Sequence, residues 1–144
     1  LLTIDSVYQE AYSFGHLNLY SLVQFLLVAT DRNQALEISS EHLLFKYKPS
    51  VTEGIPVRAE DIQVGDFIVG PSAGSKELVV KVSKIERSGV FSPLVQDGVF
   101  LSGGVKVSCY TSAKCPFCSS IDPLFLNIGN NRIISHHMLT HMAI

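Results

Sequence analysis

The sequence predicts an all-β domain. Short segments rich in β-branched and aromatic residues follow one another along most of the chain, and clusters of Gly, Pro, Asn, Asp and Ser separate them. Helical segments that alternate with strands, as in βαβ units, are not evident between them. We therefore expect strands joined by turns rather than a parallel sheet with crossover helices.

Each predicted strand is short. The strand segments are residues 23–29, 35–38, 66–69, 77–85, 99–101 and 105–110. Turns are predicted between them at residues 31–33, 48–50, 70–75, 88–89, 96–98 and 103–104. Residues 78–85 alternate best, but neither face of the alternation is cleanly polar, which favours a twisted strand partly buried on both sides.

In the middle of the chain, residues 55–69 are predicted to form a strand, a short polar turn and the entry to another strand at Val64-Gly65-Asp66. Gly65 is expected to supply a positive φ there, which a side chain would resist. Near the C-terminus, residues 121–144 show only a weak helical spacing, which Gly129-Asn130-Asn131 interrupts. The chain is thus predicted to end in a short tail with at most some helix.

Composition limits the classes of function. The 144 residues are 47% hydrophobic, enough for one domain with a real core. Only 17% are charged and the net charge is −2, so neither a basic nucleic-acid surface nor an acidic tail is predicted. The longest apolar segment, residues 20–30, is too short to span a bilayer and lacks the flanks of a signal peptide.

A hydroxyl residue lies three positions before a histidine in Ser39-Ser40-Glu41-His42. Breaking a peptide bond needs one group that polarises the scissile carbonyl and another that protonates the departing amine. Ser39 and His42 are residue types that can do this. The plainer alternative is a Ser N-cap and a half-buried histidine at a strand end.

Taken in order, these pieces resemble the Hint module of the hedgehog family, an autoprocessing domain shared in outline with inteins. The resemblance extends over residues 5–110 and implies a Hint fold of twisted, partly long β-strands. It also implies a boundary between a Hint domain at 1–110 and a tail at 111–144 that is the remnant of an adduct-recognition region. The motifs that carry the resemblance are Val7-Tyr8-Gln9-Glu10, Phe14-Gly15-His16, Ser39 to Phe45, Val64-Gly65-Asp66, Lys84-Ile85, Gly89-Val90-Phe91-Ser92-Pro93-Leu94, Asp97-Gly98-Val99-Phe100-Leu101, Gly104-Val105 and Ser108-Cys109-Tyr110.

The resemblance implies a mechanism. In the family, a cysteine that begins the module attacks the preceding carbonyl and forms a thioester, which a second nucleophile, cholesterol in hedgehogs, then displaces. His42 matches the family's essential histidine, which protonates the leaving nitrogen. Ser39 matches a position that is usually Thr, where a hydroxyl orients and polarises the scissile carbonyl. Ser keeps that hydrogen bond but holds its rotamer less firmly than Thr.

Two further residues match site positions of the family. His16 stands where classical hedgehogs have the Asp that acts as base for the sterol hydroxyl, and an imidazole can also accept a proton near neutral pH. The change leaves water or another alcohol as an alternative acceptor, and an exposed turn histidine is the plainer interpretation of His16. Cys109 matches the family's late cysteine, and its plainer interpretation is a small buried hydrophobe.

The nucleophile of the family is missing from these residues. Cysteines occur only at positions 109, 115 and 118, so the chain as it stands is expected to be catalytically silent. The chain begins with Leu1 rather than Met, and we expect a fragment whose preceding segment carries the cysteine and the first strands. A Hint core without those strands would expose sheet edges, which is costly.

The tail admits several interpretations. Residues 110–118 resemble the active-site strand and C-P-F-C loop of a glutaredoxin, although few residues follow. A disulfide between Cys115 and Cys118, or one involving Cys109, is an alternative in a secreted chain. Zinc is a weaker alternative, since Hint modules need no metal; its ligands would be Cys115, Cys118, His136 or His137, and His141.

The resemblance also implies partners and a location. The partner in cis is an upstream signalling domain, and the acyl acceptor is a sterol or another small nucleophile; no cofactor is implied. Nucleic acid is not expected, and membrane contact is expected only through a lipid substrate. The secretory pathway, in the endoplasmic reticulum or outside the cell, is the expected location. The alternative class is a catalytically inactive Hint remnant or a non-enzymatic β-module.

Overall fold

A computed structural model describes residue 1 and residues 8–111, without the side chain of His16. These residues form eight strands and one short 3-10 helix, Ala59–Asp61. No α-helix occurs among them, which confirms the all-β prediction, and none of them belongs to a helix long and apolar enough to cross a membrane. The strands are β1 Ser13–Thr30, β2 Ala35–Ile38, β3 His42–Lys46, β4 Ile55–Arg58, β5 Phe67–Val69, β6 Lys76–Leu94, β7 Val99–Ser102 and β8 Val105–Thr111.

The strands pair in the order β2-β1-β6-β5-β3-β8-β7, all antiparallel, and β4 pairs with β3 outside this path. The sheet has two parts that β6 joins, because β6 pairs with β5 only over its first three residues and with β1 along most of its length. Side chains of both parts share one hydrophobic core. Among them are Leu26 and Val28, from β1, and Leu44, Val105 and Val107, from β3 and β8.

The β1–β6 ribbon is much longer than the sequence predicted. The predicted segments 23–29 and 77–85 cover only part of it: Val79 and residues 81–85 pair with β1, whereas Glu77 and Leu78 pair with β5. The predicted turn at residues 88–89 is wrong, since both residues lie inside β6. Gly89 has φ +95° and lies where the pairing register shifts, so its conformational freedom serves an irregularity within a strand instead of a turn.

The other predicted strands lie close to the observed ones, whereas β3 was not among the predicted segments. The predicted strand 35–38 coincides with β2, and residues 105–110 fall within β8. Gly65 has φ +96°, as predicted, and its amide donates to the Val79 carbonyl at 2.9 Å. The predicted helical spacing at 121–144 lies outside the described residues.

Candidate functional site

A tight turn joins β2 to β3 and carries both Ser39 and His42. The amide of His42 donates to the carbonyl of Ser39 at 3.1 Å, which closes the turn. The 3-10 helix contacts the same turn, because the amide of Glu60 donates to the carbonyl of Ser40 at 3.0 Å. The spacing noted in the sequence therefore corresponds to a defined local structure that places the hydroxyl and the imidazole at opposite ends of one turn.

The His42 imidazole is fully buried. Its Nε2 lies 2.5 Å from the carbonyl oxygen of Ser108, in an irregular stretch of the β3–β8 pairing. A carbonyl only accepts, so Nε2 carries the hydrogen and donates it. In the neutral ring the basic nitrogen is then Nδ1. The imidazole is thus held by the peptide group that links Ser108 to Cys109.

Ser108 is itself held in place. Its side chain is buried, its hydroxyl donates to the Gly98 carbonyl at 3.4 Å, and the same hydroxyl accepts from the Tyr110 amide at 3.1 Å. The carbonyl that accepts the imidazole hydrogen bond therefore belongs to a residue whose side-chain hydroxyl makes two hydrogen bonds of its own.

Cys109 lies in the core beside this contact. Its amide donates to the Gly98 carbonyl at 2.8 Å, and its Sγ accepts from the Val95 amide at 3.4 Å. Burial raises the pKa of the Cys109 thiol above its ordinary value, and the hydrogen bond from Val95 lowers it by less. The group is accordingly a protonated thiol at neutral pH, which suits packing or weak hydrogen bonding better than nucleophilic attack.

The Ser39 hydroxyl is a buried polar group of the same turn. Its Oγ is buried, and it has no hydrogen-bond partner among residues 1 and 8–111. A buried hydroxyl left in this state costs about 1–3 kcal/mol. Such a hydroxyl can donate to a carbonyl oxygen brought to it.

His16 lies in the outer part of β1, where its backbone is opposite Ser92 of β6. Three residues after Ser92 comes Val95, the residue whose amide binds the Cys109 thiol. The backbone of His16 therefore pairs with the end of β6 that precedes Val95. Its side chain is outside the description, as are Cys115, Cys118, His136, His137 and His141.

A cleft of about 350 Å³ opens beside the turn. Ser40 and Glu60 form one wall, and Leu26 and Lys84 of the ribbon lie on the other.

In the described part of the chain, no group of three or more His, Cys, Asp or Glu side chains could hold a metal ion.

Sequence reasoning missed two features of this region. Arg58 is nearly buried and pairs with Glu41 and Glu60, and Gly98 supplies the carbonyl that fixes both Ser108 and Cys109. The signal for Gly98 was its place in Asp97-Gly98, a turn motif, and its φ is +68°. For Arg58 no sequence signal was available, because an arginine shortly before two acidic residues normally indicates a solvated surface.

The family model of the Hint module matches residues 3–115. The chain belongs to the Hint module family. Curated relatives of this Hint chain include the hedgehog protein of Drosophila yakuba, 28% identical over 110 residues that make up 74% of the chain and 24% of the relative. The hedgehog protein of Drosophila melanogaster is also 28% identical over 110 residues, with 74% and 23% covered. The chain spans about a quarter of the length of these relatives, and the predicted hedgehog-type Hint family is confirmed.

Solved inteins share the fold of this Hint chain. The VidaL intein aligns with a TM-score of 0.55 and 18% identity, over 78% of the chain and 69% of the intein. The KlbA intein precursor from Methanococcus jannaschii aligns with a TM-score of 0.54 and 20% identity, over 61% and 50%. At these identities the likeness concerns the fold, and it confirms the predicted Hint architecture.

Proposed function

We propose that this chain is the autoprocessing part of a hedgehog-type precursor, which cleaves itself from an upstream signalling domain and passes that domain to a small nucleophile. The observation that carries the proposal is the buried His42, whose Nε2 is committed to the Ser108 carbonyl so that Nδ1 is the nitrogen that exchanges a proton. Ser39 adds a buried hydroxyl suited to a substrate carbonyl.

The first step is a shift of the acyl group from nitrogen to sulfur. A cysteine that precedes Leu1 in the precursor attacks the carbonyl before it; the C–S bond forms and the C–N bond breaks. The leaving nitrogen takes a proton from protonated His42, and the thiol gives its proton to water as the sulfur attacks, so that His42 is protonated again from water. The Ser39 hydroxyl donates to the carbonyl oxygen, which gains negative charge in the transition state.

The second step releases the upstream domain. The hydroxyl of a sterol, of another alcohol or of water attacks the thioester; the C–O bond forms and the C–S bond breaks. His16 takes the hydroxyl proton, and the departing thiolate takes a proton from water, which restores the cysteine thiol. Cys109 keeps the site dry and packed instead of attacking. The reaction takes place in the secretory pathway, where the upstream domain is exported.

An inactive Hint remnant is the second candidate. The observation that favours it is the raised pKa of the Cys109 thiol, because burial keeps this cysteine protonated and poorly nucleophilic. In that case the chain is a β-module that binds or folds with the polypeptide before it.

Splitting of the precursor by a thiol tests the proposal. The precursor, meaning this chain with the residues that precede Leu1 in the translated protein, is expected to split at the start of the module when dithiothreitol is added. His42→Ala is expected to stay intact, whereas Ser40→Ala, an exposed neighbour in the same turn, is expected to split like wild type. Circular dichroism establishes that each variant is folded. A folded wild-type precursor that stays intact would favour the inactive remnant.

A further inference from the structure

We propose that Arg58 is a positioning residue for the turn that carries Ser39 and His42, acting through an ionic clip made of Arg58, Glu41 and Glu60. The catalytic consequence of the clip rests on the proposed function, whereas its effect on the turn does not.

The clip joins the turn to the element beneath it. Nη2 of Arg58 lies 3.4 Å from Oε1 of Glu41, within the turn, and 2.9 Å from Oε1 of Glu60, on the 3-10 helix. The Arg58 side chain is only 11% exposed, compared with 52% for Glu41 and 32% for Glu60. A guanidinium buried to this extent has lost much of its hydration, so the two carboxylates compensate its charge.

Two backbone contacts accompany the clip. Arg58 is the register partner of Leu43, the residue that follows His42 in β3. The amide of Glu60 donates to the Ser40 carbonyl at 3.0 Å. The segment from β4 to the 3-10 helix thus contacts the turn at Ser40 and Glu41 and the strand at Leu43. The clip is the only one of these contacts that a side-chain substitution removes directly.

Loss of Arg58 would also reverse the local electrostatics. Glu41 and Glu60 both approach one nitrogen, so without it two carboxylates face each other across a partly buried gap and repel. Their separation would carry Glu41 away from the 3-10 helix. Because Glu41 lies directly before His42, the imidazole and the Ser39 hydroxyl would lose their relative position.

The geometry predicts which substitution of Arg58 keeps the ionic clip and which one removes it. Both contacts come from the same terminal nitrogen, and the Nε of Arg58 is buried with no hydrogen-bond partner in the described part of the chain. A lysine presents one charged nitrogen on a flexible stem. Arg58→Lys should therefore keep the clip, whereas Arg58→Met keeps the apolar stem and loses it.

Hydrogen exchange in the 144-residue chain tests the structural part without any cleavage. Arg58→Met is expected to speed exchange of the His42 and Glu60 amides about tenfold or more, because local opening becomes easier. The Cys109 amide, bound to Gly98, should not change. Arg58→Lys should behave like wild type. The control is Lys46→Met, which breaks the 2.7 Å pair with Asp66 at the other end of β3 and should leave both amides protected. Unchanged His42 and Glu60 amides in Arg58→Met would overturn the clip.

Thiol-induced splitting of the precursor tests the catalytic part. We expect Arg58→Met to split about tenfold more slowly than wild type, a loss of roughly 1.4 kcal/mol in transition-state stabilisation, and Arg58→Lys to split within about threefold of it. Glu41→Gln, which keeps the Glu60 contact, should lie between them. Equal splitting by Arg58→Met and wild type would overturn the positioning role. A wild-type precursor that never splits would overturn the proposed function instead, and hydrogen exchange would still decide whether the clip holds the turn.

Discussion

Buried polar atoms lie at both ends of β2 and differ in their hydrogen bonding: those at its start are paired, whereas the Ser39 hydroxyl at its end has no partner in the described residues. At the start of β2, the Glu77 carboxylate of β6 lies beside Thr30 and Arg32. It is 1% exposed and accepts a hydrogen bond from the Thr30 hydroxyl at 3.1 Å, and the exposed Arg32 guanidinium is 3.7 Å away. After β2, the Ser39 hydroxyl is buried with no hydrogen-bond partner in the described residues.

The difference separates a structural group from a candidate functional one. Glu77 has a protein partner, and Gly70 leaves room for it, since a Cβ at that position would lie 2.7 Å from Oε1. The Glu77 group therefore ties the turn after β1 to the start of β6. A hydroxyl without a partner contributes nothing comparable to stability and costs free energy instead. Such an unpaired group is expected where a substrate atom completes the site.

The largest expected effect on stability is at Glu77. Glu77→Ala removes the partner of a buried hydroxyl and leaves a cavity, so the free energy of unfolding should fall by about 3 kcal/mol. Urea denaturation of the 144-residue chain measures it. Glu86→Ala, an exposed glutamate of the same strand, is the control and should stay within about 0.5 kcal/mol of wild type. A similar loss in both variants would contradict the structural role of Glu77.

The opposite behaviour is expected of Ser39. Ser39→Ala removes an unpaired group, so the free energy of unfolding should stay the same or rise slightly. Thiol-induced splitting of the precursor should slow by about a hundredfold, as for a lost oxyanion donor. Ser39→Thr should split at least as fast as wild type, because the stiffer χ1 holds the hydroxyl better. If Ser39→Ala loses stability but not splitting rate, the contrast between the two groups fails.

A smaller effect is expected from the Cys109 thiol as pH rises. Burial raises its pKa in the folded state, so the unfolded chain releases the proton first. Below the ordinary thiol pKa both states are protonated and this group adds no pH dependence. As pH rises from the ordinary value toward the raised one, unfolding releases a proton and stability falls. Urea midpoints between pH 7 and about 10 should show this slope in wild type and a weaker slope in Cys109→Ala.

The smallest effect is expected at Arg32. This side chain is 63% exposed and its contact with Glu77 is long, so Arg32→Met should change the free energy of unfolding by less than about 0.5 kcal/mol. Denaturation at low and high salt checks this. A loss as large as that of Glu77→Ala would mean that the ion pair, and not the Thr30 hydroxyl, satisfies the carboxylate.

The strands of the fold were predictable where local chemistry decides them. Val, Ile and turn residues placed β2, β7 and β8, and Gly65 was recognised from its strand-entry motif. The extent of β1 and β6 was not, because it depends on pairing between residues far apart in sequence. Gly89 shows the same limit: a glycine after serine predicts a turn, but tertiary pairing continues through it.

For the site, residue types and spacing indicated Ser39 and His42, and the family resemblance added His16 and Cys109. Neither could indicate that the backbone carbonyl of Ser108 would accept a hydrogen bond from the imidazole, because side-chain identity does not encode main-chain acceptors. Arg58 was missed for a related reason. Its burial follows from the packing of the 3-10 helix against the turn, which no local pattern reports.

The composition of β1 has a consequence for synthesis in the cell. Its eighteen residues contain no Asp, Glu, Lys or Arg, and Leu17, Tyr20 and Leu22 remain more than half exposed even after β6 has paired. β1 leaves the ribosome before β6, which ends at residue 94, and translation of that interval takes several seconds at roughly 5–20 residues per second. During this time β1 is an aggregation-prone nascent segment that lacks its main partner, β6. Chaperone binding to residues 13–30 is therefore expected to govern the yield of folded protein.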